Sequence, residues 1–137
     1  SVIKYLNNLI SELFNTYNIN PEEIRLELDI EPFDLDVDTM IPLGLIINEL
    51  VSNSLKHAFH DATDGFIRVT LKEENKKLIL KVDDNGVGIS NEQMTKSNTF
   101  GNRLIKAFSK KLRAEYSVNN TDGTKVKIVI RDYLKGA

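Results

Sequence analysis

A chain of 137 residues with a formal net charge of −2 can bury the core of one domain and carries no bias toward nucleic acid or anionic lipid. Its 41% hydrophobic and 28% charged residues are those of a globular protein rather than a disordered one. The absence of cysteine excludes disulfides, cysteine-bound zinc and thiol nucleophiles.

The longest apolar run, Leu43 to Ile47 interrupted by Gly44, is far too short to cross a bilayer. No signal peptide is visible and the first residue is Ser1, so we expect a piece of a longer polypeptide forming a single domain over residues 1–137. Residues 2–18 place Val2, Ile3, Leu6, Leu9, Ile10, Leu13 and Phe14 at the three-four spacing of an amphipathic helix, interrupted by Asn18 to Pro21. Ile24, Leu26, Leu28 and Ile30 then alternate with Arg25, Glu27 and Asp29, which predicts a half-buried strand. Pro32 and the acidic stretch Asp34 to Asp38 form a loop. A second helix is predicted from about Asp38 to Phe59, with Pro42 tolerable in its first turn.

The second half is rich in strands. Asp64-Gly65 reads as a turn, and Phe66 to Lys72 alternates Ile67, Val69 and Leu71 with polar neighbours. Glu73 to Lys76 forms a polar hairpin loop, and Leu78, Leu80 and Val82 continue on the return strand. Ser90 to Thr99 is polar and irregular. A third helix is predicted over roughly Phe100 to Leu112, burying Leu104, Ile105, Phe108 and Leu112. Tyr116 to Asn120 and Lys125 to Ile130 make a last hairpin around Asp122-Gly123. The order α-β-α-β-β-α-β-β predicts an α+β, two-layer fold with helices on one face of a mixed, mostly antiparallel sheet.

Two stretches carry chemistry. In NELVSNSLKHAF, residues 48–59, Glu49, Asn53, Lys56 and His57 share one helix face, apart from the core stripe Leu43, Ile46, Ile47 and Leu50. On an arbitrary helix such a face is a solvated ladder worth about a few tenths of a kcal/mol. As chemistry, the Asn oxygen suits a magnesium shell, the Lys a phosphate, and the Glu a proton. In DDNGVGI, residues 83–89, a buried strand runs into a carboxylate followed by Gly86 and Gly88. A turn explains the first glycine; the second lets the backbone approach a flat ligand. A carboxylate ending a buried strand is costly unless something donates to it, and an adenine amino group is one such donor.

These motifs, in this order, resemble the ATP-binding catalytic domain of sensor histidine kinases, within the gyrase, heat-shock-chaperone and mismatch-repair ATPase group. NELVSNSLKHAF resembles the N box, DDNGVGI the first glycine box, and Gly123-Thr124 the terminal glycine-threonine element. LGLIINELVSNSLKHAF is nearest the branch with a glutamate in the N box. The resemblance implies a Bergerat-type fold, ATP and Mg2+ as cofactors, Asn53 as magnesium ligand and Lys56 near the phosphates. It implies Asp84 at the adenine amino group, Gly86 and Gly88 shaping its pocket, and Thr124 in the surrounding water-mediated contacts. His57 stands where relatives place a ring near the base, and it reads equally as an exposed helix histidine. Glu49 holds the position of a water-activating glutamate, and in a kinase it orients the acceptor imidazole or supports the metal shell. The second glycine box is thin: only Phe100-Gly101-Asn102-Arg103 stands there, with Gly101 able to open a helix toward phosphate, and residues 90–99 as a short lid.

His57 and His60 lie in no acceptor motif, so the implied partner is a histidine on a separate dimerisation domain, with a response regulator downstream. The resemblance implies no nucleic acid or membrane contact by this domain and a cytoplasmic location, with a parent protein that is either soluble or membrane-anchored. A related ATPase or anti-sigma-type serine kinase, favoured by Glu49, and a degenerate nucleotide-sensing module, favoured by the thin glycine box, are the alternative readings.

Overall fold

The computed structural model describes residues 2–20, 22–32, 34–55, 65–86, 106–107, 110–119, 123–131 and 133. Within them the chain runs α1 (Val2–Thr16), β1 (Ile24–Ile30), α2 (Val37–Asn53), β2 (Gly65–Glu74), β3 (Lys77–Asp84), β4 (Ala114–Asn119) and β5 (Thr124–Ile130). The five strands form one sheet in the order β1-β2-β3-β5-β4. β1 pairs parallel with β2, and the other pairs are antiparallel. This is the expected mixed α+β sandwich.

Side-chain alternation divides the layers. Ile67, Val69 and Leu71 on β2, Leu78, Leu80 and Val82 on β3, and Val126, Ile128 and Ile130 on β5 are all buried beneath the helices. Arg68, Lys81, Lys125 and Lys127 point from the opposite, open face and are exposed. On α1 the buried set Val2, Leu6, Ile10 and Phe14 repeats every four residues, so one stripe meets the core. The helix stops at Thr16, short of the expected residue 18. Asn18 takes a left-handed φ of 53°, and the Ile19 N–H reaches back to the Phe14 carbonyl at 2.9 Å. That is a Schellman closure, and asparagine tolerates the conformation it requires.

Asp36 caps α2, its side chain accepting from the Asp38 N–H at 3.1 Å. The helix therefore begins at Val37, which carries Pro42 past the first turn where it was expected. Pro42 cannot donate to the Asp38 carbonyl, and the buried neighbours Thr39, Leu43, Ile46 and Ile47 hold the helix through that missing rung. Gly44 permits close helix packing: a Cβ there would stand 2.6 Å from the Tyr5 hydroxyl and 2.8 Å from its ring. Further along, the Tyr17 hydroxyl meets Ser52 Oγ at 2.8 Å. Tyr5 against Gly44 and Tyr17 against Ser52 mean that α1 and α2 run in the same direction.

The β2–β3 hairpin is tighter than expected. Glu73 and Glu74 extend the strand, leaving Asn75 (φ 51°) and Lys76 (φ 63°) as a two-residue turn between the paired Glu74 and Lys77. Two positive φ values define the turn whose twist suits a hairpin. Gly65, expected in a turn, is the first residue of β2 and pairs with Ile24. β4 begins two residues before its expected start, at Ala114. For the predicted third helix, Lys106, Ala107, Lys110 and Lys111 are helical and exposed, and Leu112 is buried. Its other expected core residues, Leu104, Ile105 and Phe108, lie outside the described residues, as do residues 56–64 at the expected end of the second helix and the expected lid at 90–99.

Candidate functional site around Asp84

β3 ends on two adjacent aspartates that strand geometry sends to opposite faces. Asp83 faces the open side of the sheet, paired with Arg68 on β2 and Lys125 on β5. Partial burial pushes its carboxyl pKa up, opposed by Lys81, Lys125 and Arg68. Asp84 turns inward and is only 2% exposed.

A buried carboxylate needs donors, and the protein supplies three. Asp84 Oδ1 accepts the Gly86 N–H at 3.0 Å and the Thr124 N–H at 3.2 Å. Asp84 Oδ2 accepts the Ser54 hydroxyl at 2.7 Å. The burial of Asp84 thus does not by itself require a ligand, contrary to the argument from the isolated strand. With three of about four acceptor directions taken, Oδ2 keeps capacity for one further donor.

Each partner is held by the fold. Gly86 lies two residues past Asp84, so the side chain closes a turn onto its own loop. Asn85 stabilises that turn from the other side, its Oδ1 accepting the Phe66 N–H at 2.7 Å. Thr124 is the direct cross-strand partner of Asp84 and is itself buried. Gly123 allows this approach: its φ is +78°, and a Cβ there would lie 2.0 Å from the Asp84 carbonyl oxygen. No other residue fits without moving the end of β3.

Ser54 follows directly on the last residue of α2, where the backbone widens into a π turn over Ser54 and Leu55. Such turns recur at functional sites because they re-aim side chains. Its bond to Asp84 brings the end of α2 against the end of β3. Of the residues predicted from the sequence, Asp84, Gly86 and Thr124 therefore converge. Glu49 and Asn53 lie half-buried on the last turns of α2, and Asn53 immediately precedes Ser54. Lys56, His57, Gly88 and Gly101 lie outside the described residues.

Ser54 was missed in the sequence, although it carried a signal. Ser52 and Ser54 flank Asn53 next to an apolar stripe, and a buried hydroxyl needs a partner. Ser52 finds Tyr17, and Ser54 finds Asp84.

Among the described residues, no group of three His, Asp or Glu side chains could hold a metal ion. The half-buried Asn53 offers one neutral side-chain oxygen, a donor type that magnesium accepts alongside phosphate oxygens and water. An open groove of about 530 Å3 runs between α1 and β1, lined by Ser11, Phe14, Asn15, Arg25, Leu26 and Glu27. It shares no residue with the Asp84 cluster, whose Oδ2 keeps room for one further donor.

The sequence profile of the family described as "Histidine kinase-, DNA gyrase B-, and HSP90-like ATPase" matches residues 39–134. The chain belongs to this ATPase family. The domain is 28% identical over 97 residues to Blue-light-activated histidine kinase 2 of Erythrobacter litoralis, covering 69% of this chain and 28% of that protein. It is 32% identical over 104 residues to the sensor histidine kinase ComP of Bacillus subtilis, covering 75% of this chain and 13% of that protein. The chain thus spans less than a third of the length of these relatives. A solved histidine kinase domain of a blue-light activated histidine kinase from Erythrobacter litoralis superposes with a TM-score of 0.85 at 26% identity, over 95% of this chain and 60% of that one. This is a histidine kinase-like ATP-binding domain, and no helix of its described residues is long and apolar enough to cross a membrane.

Proposed function

We propose that this domain binds Mg-ATP and donates the γ-phosphate to a histidine on a separate dimerisation domain, as the catalytic part of a longer sensor kinase. The observation that carries the reading is the buried Asp84 acceptor, tied through Ser54 to the turn of α2 that bears Asn53. In this reading Asp84 takes the adenine amino group, Gly86 and Gly88 leave room for the ring, and Thr124 joins the surrounding contacts. His57 borders the base. Asn53 would hold Mg2+, which neutralises phosphate charge when bound, and Lys56 and Gly101 meet the phosphates.

Phosphoryl transfer is mainly a matter of positioning and charge. The imidazole nitrogen of the partner forms a bond to the γ-phosphorus while the bond to the ADP oxygen breaks, and Glu49 orients that imidazole and accepts the proton lost from its other ring nitrogen. A downstream response regulator then receives the phosphate.

The test is incubation of the domain, with and without the histidine-bearing helices of its parent protein, with ATP labelled on the γ-phosphate. Acid-labile, alkali-stable label on the added helices supports the proposal. Acid-stable label on protein would make it a serine kinase, and free phosphate alone an ATPase. Absence of nucleotide binding would reduce it to an interaction module.

A further inference from the structure

We infer that Ser54 sets the base selectivity of this site by presenting Asp84 Oδ2 as a fixed acceptor to an exocyclic amino group. The inference rests on the nucleotide reading above and adds to it a residue that neither the glycine boxes nor the metal assignment includes.

Ser54 and Asp84 are 5% and 2% exposed, so water does not compete freely for their 2.7 Å hydrogen bond. Ser54 donates this bond through its hydroxyl and Asp84 Oδ2 accepts it. The hydroxyl is thereby locked in one rotor position, with only lone pairs left facing outward. On the carboxylate, Oδ1 is saturated by the Gly86 and Thr124 amides. Oδ2 has Ser54 on one side, and among the described residues nothing else donates to it. The direction that remains on Oδ2 is therefore chosen by Ser54.

Two backbone amides hold Oδ1, but they do not decide which lone pair of Oδ2 stays open. Ser54 does, from a helix turn one residue beyond Asn53. The same bond links the base end of the site to the turn assigned to the metal end. Removing the hydroxyl leaves Oδ2 to recruit a water or rotate, and either change blurs the acceptor direction that an amino group must meet. Ser54 acts through Asp84, as a positioning residue.

The experiment compares two nucleotides by titration calorimetry with Mg2+ present: ATP, and purine riboside 5′-triphosphate, which lacks the 6-amino group. The wild-type domain is expected to prefer ATP by about tenfold or more, the ratio for one hydrogen bond to a charged group. Ser54→Ala is expected to bring the ratio to within about threefold by weakening ATP alone, and Ser54→Thr to restore it. Should Ser54→Ala fail to fold, Ser54→Cys, a weak donor of similar size, is expected to give an intermediate ratio. A ratio unchanged in Ser54→Ala or Ser54→Cys overturns the role of Ser54, and so does equal weakening of both nucleotides, which a purely structural residue produces. A wild-type domain that binds both nucleotides equally instead overturns the assignment of Asp84 to the amino group.

Discussion

Asp84 is a carboxyl group with almost no solvent, and its neighbours show what that requires. Two backbone amides and one hydroxyl point at it. The demand is steepest at Gly123, where φ is +78° and the Asp84 carbonyl occupies the space of any side chain. Gly123→Ala is expected to destabilise the domain by about 1–3 kcal/mol or more, measured by urea unfolding. Nucleotide affinity should fall with it, because the Thr124 amide shifts away from Oδ1. Asn53 makes the contrasting case. It is half-buried and is not one of the hydrophobic core residues, so Asn53→Ala should leave the unfolding midpoint nearly unchanged. The same variant should abolish Mg2+-dependent ATP binding in calorimetry. Unchanged affinity would remove Asn53 from the metal site.

Between elements, close packing decides more than charge does. The ion pairs Arg68–Glu27 at 2.7 Å and Lys72–Asp29 at 3.0 Å join β1 to β2 on the solvated face, where such pairs contribute little. The contact of Tyr5 with Gly44 is different, because it sets how closely α1 and α2 approach. Gly44→Ala is expected to cost about 1–3 kcal/mol, and clearly less in a Tyr5→Ala background. A double-mutant cycle by chemical unfolding measures that coupling; simple additivity would show that the ring does not resist the methyl group. The chain after β5 is held onto β2 by Tyr133, whose hydroxyl donates to Glu73. Burial, then the Glu73 bond and the charges of Glu73 and Glu31, push the Tyr133 pKa up to about 12 from 10. A phenol whose pKa is raised by folding stabilises fully below its unfolded value. That contribution is lost as pH climbs from about 10 through about 12. Ultraviolet titration should therefore show Tyr133 ionising late, as a component absent from Tyr133→Phe, and that variant should flatten the loss of stability over that window.

For the whole molecule, the parallel pairing of β1 with β2 and the antiparallel remainder leave one face to the helices and the other to solvent. All the convergent site residues lie on the helix side, at the ends of β3 and α2 and the start of β5. In the proposed function the acceptor histidine comes from a partner, so the domain alone with labelled ATP should retain no acid-labile phosphate on His57 or His60. Label on either would make this chain its own acceptor. Much of this architecture was legible beforehand. The alternation of Ile24 to Ile30 and the four-residue steps of Val2, Leu6, Ile10 and Phe14 are local patterns, and burial acts on them locally. So is the strand-to-glycine junction at Asp84, since a turn chemistry is written in consecutive residues. What the tertiary structure alone decided is pairing across distance. Ser54 meets Asp84 thirty residues on, and Gly123 packs against the Asp84 carbonyl. Tyr17 meets Ser52, and Tyr5 meets Gly44. The physical reason is that a hydrogen bond or a close contact is specific to its two partners, whereas hydrophobic burial requires only an apolar side chain on the right face.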